Sequence, residues 1–154
     1  AIAAISANLP EAQNLDCEKS GLPVAVAIFN GTEDPVNPYE GGLVSIFGNT
    51  SRGTVLSSTD TAKYWANLAG ANTELASEII EFPELDGAAS TSVTARYWHG
   101  ANGVDVRLYT LTGSGHVIPS KLVTSPRIIG PSAGDISGPE EIVMFFNELV
   151  QLKP

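Results

Sequence analysis

Apolar positions fall along this chain in runs of distinct rhythm. Residues 1–6 are a short apolar run ended by Asn8-Leu9-Pro10, which predicts a buried strand. Pro23-Val24-Ala25-Val26-Ala27-Ile28-Phe29 is continuously apolar and is stopped by Asn30-Gly31-Thr32. Continuous rather than alternating apolarity predicts a strand covered on both faces, as in a parallel sheet with helices on each side. Over residues 59–69 the rhythm changes to that of a helix. Ala62, Trp65, Ala66 and Ala69 stand at i, i+3, i+4 and i+7, and Gly70 is a fitting stop. Residues 77–82 form a weaker strand candidate. Residues 93–98 and 104–111 form better ones, and His99-Gly100-Ala101-Asn102-Gly103 between them suits a hairpin. The last element is an amphipathic helix. Ser137 and Glu140 resemble a capping box, Pro139 sits in the first turn, and Ile142, Phe145, Phe146, Leu149 and Val150 share one face.

Polar segments separate these elements at 11–22, 31–57 and 113–138. Loops as long as the latter two are usually functional or mobile. Neither internal repeats nor a linker divide the chain, so residues 1–154 are expected to form a single domain. The pattern is α/β, but it is short of helices for a complete doubly wound domain. It fits a partial, mostly parallel sheet with flanking helices, the latter half of a larger one. The opening Ala1 to Ile5 is apolar, with no initiator Met and no basic region ahead of it, and reads as the interior of a longer protein.

Composition narrows the function classes. The chain has 154 residues, 17 acids against 8 bases and a net charge of −9. Sequence-independent nucleic-acid binding needs many phosphate-neutralising cations, which eight scattered Lys and Arg do not supply. No apolar run is long enough to cross a bilayer. Cys17 is the single cysteine, which excludes an internal disulfide and a CxxC metal cluster. Neither a cofactor nor a metal is expected.

Two segments carry candidate chemistry. Asn30-Gly31-Thr32-Glu33-Asp34-Pro35 follows the most apolar strand directly. An acid just past the C-terminal end of a parallel strand stands where α/β sheets place their active sites, and Pro35 restricts Asp34 to extended backbone. Asp-Pro is equally at home in a plain surface turn. Gly113-Ser114-Gly115-His116 follows the strand at 104–111. Its glycines let a histidine leave a strand end without steric conflict, and a histidine titrates where a general base must. A lone loop histidine is also often just solvated. His99, the only other one, falls in the hairpin link.

Acid first and histidine later matches the chain order of α/β-hydrolases. Gly31-Thr32-Glu33-Asp34-Pro35-Val36-Asn37-Pro38-Tyr39-Glu40-Gly41-Gly42, Trp65 within a helix, Val106-Arg107-Leu108-Tyr109 leading to Gly115-His116, and the closing region with Phe145-Phe146 together resemble the C-terminal half of the polyhydroxybutyrate depolymerase-like and feruloyl esterase-like serine hydrolases. The likeness covers most of the chain. It implies a secreted or periplasmic enzyme that cleaves carboxylic esters, with polyester or hydroxycinnamoyl and other acyl esters as substrates. Asp34 would orient His116, and His116 would take the proton of a serine. That serine and the oxyanion hole are expected in an N-terminal half preceding Ala1. Such a half, or a second copy of the chain, would cover the exposed sheet. The family often has a tryptophan after its Gly-His pair, where this chain has Val117-Ile118-Pro119, and a cysteine after the helix tryptophan, where it has Gly70-Ala71-Asn72. Both departures bear on substrate preference.

Gly130-Pro131-Ser132-Ala133-Gly134 matches the nucleophile-elbow pattern literally, which makes Ser132 a weak alternative nucleophile. That pattern requires a helix right after the serine, and Gly134, Asp135, Gly138 and Pro139 oppose one. Tyr39 and Trp98 are candidate substrate-binding residues. With Trp65 they also support a different reading, a non-catalytic carbohydrate- or polymer-binding module.

Overall fold

The computed structural model describes residues 1–85, 90–122 and 125–151. Its first strand, β1 (Ile2–Ile5), runs parallel to β2 (Val26–Gly31), the continuously apolar segment. Two short strands, β3 (Gly42–Leu43) and β4 (Thr54–Val55), pair antiparallel inside the segment read as loop. Helix α1 (Ser58–Leu68) follows. Then come β5 (Glu78–Glu81), β6 (Ser92–His99) and β7 (Asp105–Thr112), and the described chain closes with α2 (Gly138–Gln151). The main sheet has the order β1-β2-β7-β6-β5.

This sheet is mixed rather than mostly parallel. β1, β2 and β7 are parallel, whereas β7, β6 and β5 pair antiparallel. For β6 and β7 the cause is the short link after His99. A parallel return needs a crossover of a dozen residues or more, and a link of a few residues permits only a hairpin. His99 therefore faces Asp105 across the hairpin mouth.

Every residue of β2 is buried, as its unbroken apolarity predicts. Alternate side chains serve two cores. Val26 and Ile28 join Val106, Leu108 and Trp98 beneath Ala62 and Ala66 of α1. Ala27 and Phe29 join Ala95, Tyr97, Tyr109 and Leu111 beneath Phe145 of α2. Phe29 and Tyr109, paired in register, stack with ring centroids 4.2 Å apart.

Small residues let α1 approach the sheet closely. Its start is fixed by Ser57, whose hydroxyl accepts from the Asp60 N–H at 3.0 Å and donates to the Asp60 carboxylate at 2.7 Å. Its end is a Schellman turn. Gly70 takes a positive φ, its N–H reaches the Asn67 carbonyl, and the Ala71 N–H reaches the Ala66 carbonyl. On the other face Arg107 is held between the Tyr97 and Phe145 rings and pairs with Glu148 of α2. Tyr109 donates to Glu141 at 3.0 Å, and burial pushes its phenol well above the ordinary range.

Candidate functional site

β2 and β7 are adjacent parallel strands, with Gly31 in register with Leu111. Their C-terminal ends therefore open on the same edge of the sheet, and the loops leaving them meet there. The Thr32 N–H donates to the Leu111 carbonyl and the Glu33 N–H to the Ser114 carbonyl, so pairing continues past the strands. The Thr32 hydroxyl accepts from the Gly113 N–H at 2.9 Å. Backbone contact this close leaves no room for side chains. A Cβ on Gly31 would stand 2.2 Å from the Ser114 oxygen, and one on Gly115 would stand 2.0 Å from the Ile129 oxygen.

This zippered junction sets Asp34 and His116 against each other. His116 Nδ1 lies 2.9 Å from Asp34 Oδ2. The other carboxylate oxygen, Oδ1, accepts the N–H groups of Val36 and Asn37, both at 2.8 Å. Asp34 thus closes its own loop through its side chain, buried rather than at a surface turn, and this closure is what aims the acid. One oxygen closes the loop and leaves the second for the imidazole. The Asp34 side chain is 1% exposed, while that of His116 is 35% exposed. An ionised carboxylate can only accept, so the pairing assigns the ring proton to Nδ1 and leaves a lone pair on Nε2. Among the described residues, the Asp34 carboxylate is the only hydrogen-bond partner of the ring.

A second strap fixes the histidine backbone. The His116 N–H donates to the Ile129 carbonyl at 2.7 Å and the Gly115 N–H to the Pro131 carbonyl at 2.9 Å. The wholly buried Ser114 donates its hydroxyl to the Pro131 carbonyl and accepts from the Ala133 N–H.

The remaining sequence candidates lie elsewhere. The Ser132 hydroxyl bridges the Ile118 carbonyl at 3.0 Å and the Ser120 N–H at 3.1 Å, bracing the segment after His116 rather than reaching its ring. Tyr39 is buried, with its hydroxyl 2.7 Å from that of Thr110. Trp98 is buried in the core under α1. Trp65 is half-buried and lines a cleft of about 380 Å³ with Leu9, Leu15, Tyr64 and the exposed Cys17. A second cavity, of about 480 Å³, lies at the start of α2. Neither cavity is lined by Asp34 or His116.

Asn30 is a residue that sequence reasoning missed. Almost fully buried, it accepts from the Ala7 N–H and donates to Asn8 and to the Ser58 hydroxyl. It thereby joins the end of β1, the end of β2 and the start of α1. Its one visible signal is a polar residue ending an apolar run, which reads as a mere stop.

Among the described residues no cluster of three or more His, Cys, Asp or Glu could hold a metal ion. None of the described helices is long and apolar enough to cross a membrane. No family model matches the chain, and a search of curated proteins returns no significant match.

Proposed function

We propose that Asp34 and His116 are the acid and the general base of a serine-type carboxylic ester hydrolase, of the polyhydroxybutyrate depolymerase-like or feruloyl esterase-like kind. The observation that carries this reading is the 2.9 Å bond between His116 Nδ1 and a carboxylate whose other oxygen is held by two backbone N–H groups. Acid and base also leave neighbouring parallel strands in the order that α/β-hydrolases use.

In this reading His116 Nε2 removes the proton of a serine hydroxyl as that oxygen attacks the ester carbonyl. The proton then passes to the leaving alcohol. Water, deprotonated by the same nitrogen, releases the acid in a second round. Asp34 keeps the ring in the working tautomer and stabilises the imidazolium formed in each transfer. Ser132 is committed to the Ile118 and Ser120 backbone, so in this reading the serine and the oxyanion hole come from a segment preceding Ala1, while that segment or a second copy covers the sheet. The outer edge of β1, where Ile2 and Ile5 are exposed, is where that body packs. The whole enzyme is secreted or periplasmic and acts on polyester, hydroxycinnamoyl or other acyl esters.

The test is turnover of p-nitrophenyl butyrate by the chain produced together with the coding sequence that precedes it. His116→Ala and Asp34→Asn should each lower kcat by about 10⁴-fold or more. Unchanged turnover in His116→Ala would refute the proposal.

A further inference from the structure

The hairpin that follows the acid carries a conformational anomaly. Ile46 and Asn49 exchange both backbone hydrogen bonds at 2.9 Å, so Phe47 and Gly48 are the two central residues of a tight turn. Their φ values are +50° and +83°. Positive φ at both positions is the mark of a primed hairpin turn, in which Asn, Asp or Gly sits at the first central position. Here a phenylalanine takes it, against the steric preference of its Cβ. Burial does not compensate, because Phe47 is 76% exposed. Leu43, at the base of the same hairpin, is also exposed. Strain at an exposed aromatic marks a position that serves something other than the fold.

The hairpin is joined to the acid's own loop. The Ser45 N–H donates to the Val36 carbonyl at 3.0 Å, and the Val36 N–H donates to Asp34 Oδ1 at 2.8 Å. One residue, Val36, thus links the Asp34 carboxylate to the strand that presents Phe47. The hairpin is therefore braced against the loop that holds the acid.

We propose that the Leu43–Phe47 hairpin is a docking element, which inserts Phe47 into the surface of a water-insoluble, uncharged ester. A protruding ring, rather than a lined pocket, fits a surface. A chain of net charge −9 is repelled by an anionic one. The proposal rests on the ester-hydrolase reading for its choice of occupant. Its test needs no turnover, so the two fail separately.

The experiment is flotation of the 154-residue chain with trioctanoin droplets, scored as bound fraction, beside vesicles of phosphatidylglycerol. The wild-type chain should float with the droplets and not with the vesicles. Phe47→Asn supplies a residue that suits the turn, so its thermal unfolding should match or exceed wild type. Its partition onto droplets should fall about tenfold or more, as expected for removing one buried phenylalanine. Leu43→Ser should weaken binding in the same direction, whereas His116→Ala should leave it unchanged. Wild-type binding in Phe47→Asn, absence of droplet binding by wild type, or a preference for the anionic vesicles would each overturn the proposal.

Discussion

Strand β7 has an acid–histidine pair at each end, both joined through Nδ1 of the ring, and the two differ in distance, burial and support. At its start, His99 Nδ1 lies 3.3 Å from Asp105, with side chains 49% and 19% exposed. Glu78 stands farther off, at 3.9 Å. Past its end, His116 lies 2.9 Å from an Asp34 that is 1% exposed. The first pair is made by strand register, since His99 and Asp105 are opposite one another across the hairpin. Solvent reaches half of the His99 side chain and part of Asp105, and a partly exposed pair of this kind contributes little. The second pair joins residues 82 apart in sequence and is fixed from behind by two loops. A carboxylate whose other oxygen is tied to backbone N–H groups cannot turn away, so the imidazole it holds has one orientation. Proximity is common to both pairs; immobilisation, which an acid–base device would need, belongs to the second alone.

The contrast can be broken experimentally, beginning with turnover. In the p-nitrophenyl butyrate assay, His116→Ala should cost about 10⁴-fold or more in kcat, while His99→Ala should change it less than about twofold. Comparable losses from both would show that the two ends of β7 do not differ as described. Next in size is the junction itself. Gly115→Ala places a methyl group against the Ile129 carbonyl, 2.0 Å away without movement. It should destabilise the fold by about 3 kcal/mol or more in urea titration, at the upper end of overpacking.

How much of this was legible beforehand follows from the range of each interaction. β2 announced itself because burial on both faces leaves an unbroken apolar run, and the β6–β7 hairpin because its link is too short for anything else. Asp34 and His116 were legible as residues leaving strand ends. The mixed sheet was less so, because β5 is a four-residue strand whose partner cannot be read from its own pattern. β3 and β4, two residues each, are too short for any hydrophobic period. The Ile129–Pro131 strap was invisible, since its contribution is made by carbonyl groups that every residue carries. Tyr39 and Trp98 show the converse limit. Aromatic type suggests ligand contact, and only packing reveals that both rings are buried.

Ser132 sharpens the comparison from a third side. Ser132→Ala removes the bridge between the Ile118 carbonyl and the Ser120 N–H, so it should cost about 1 kcal/mol in thermal unfolding. It should leave kcat within about twofold, because the hydroxyl supports backbone. Loss of turnover on the triad scale would make it a nucleophile instead. The smallest effect belongs to the pair at the start of β7, where His99 is half open to solvent. Asp105→Asn should shift stability by less than about 0.5 kcal/mol, and less still in 1 M salt.

The claim beneath all of this is that Asp34 fixes the His116 ring with its proton on Nδ1. Long-range ¹H–¹⁵N NMR of the 154-residue chain at neutral pH reads that directly. It should show His116 as the Nδ1–H tautomer with a proton protected from solvent exchange, lost in Asp34→Ala, while the His99 ring exchanges freely. A His116 ring protonated on Nε2 alone, or unaffected by Asp34→Ala, would contradict the account.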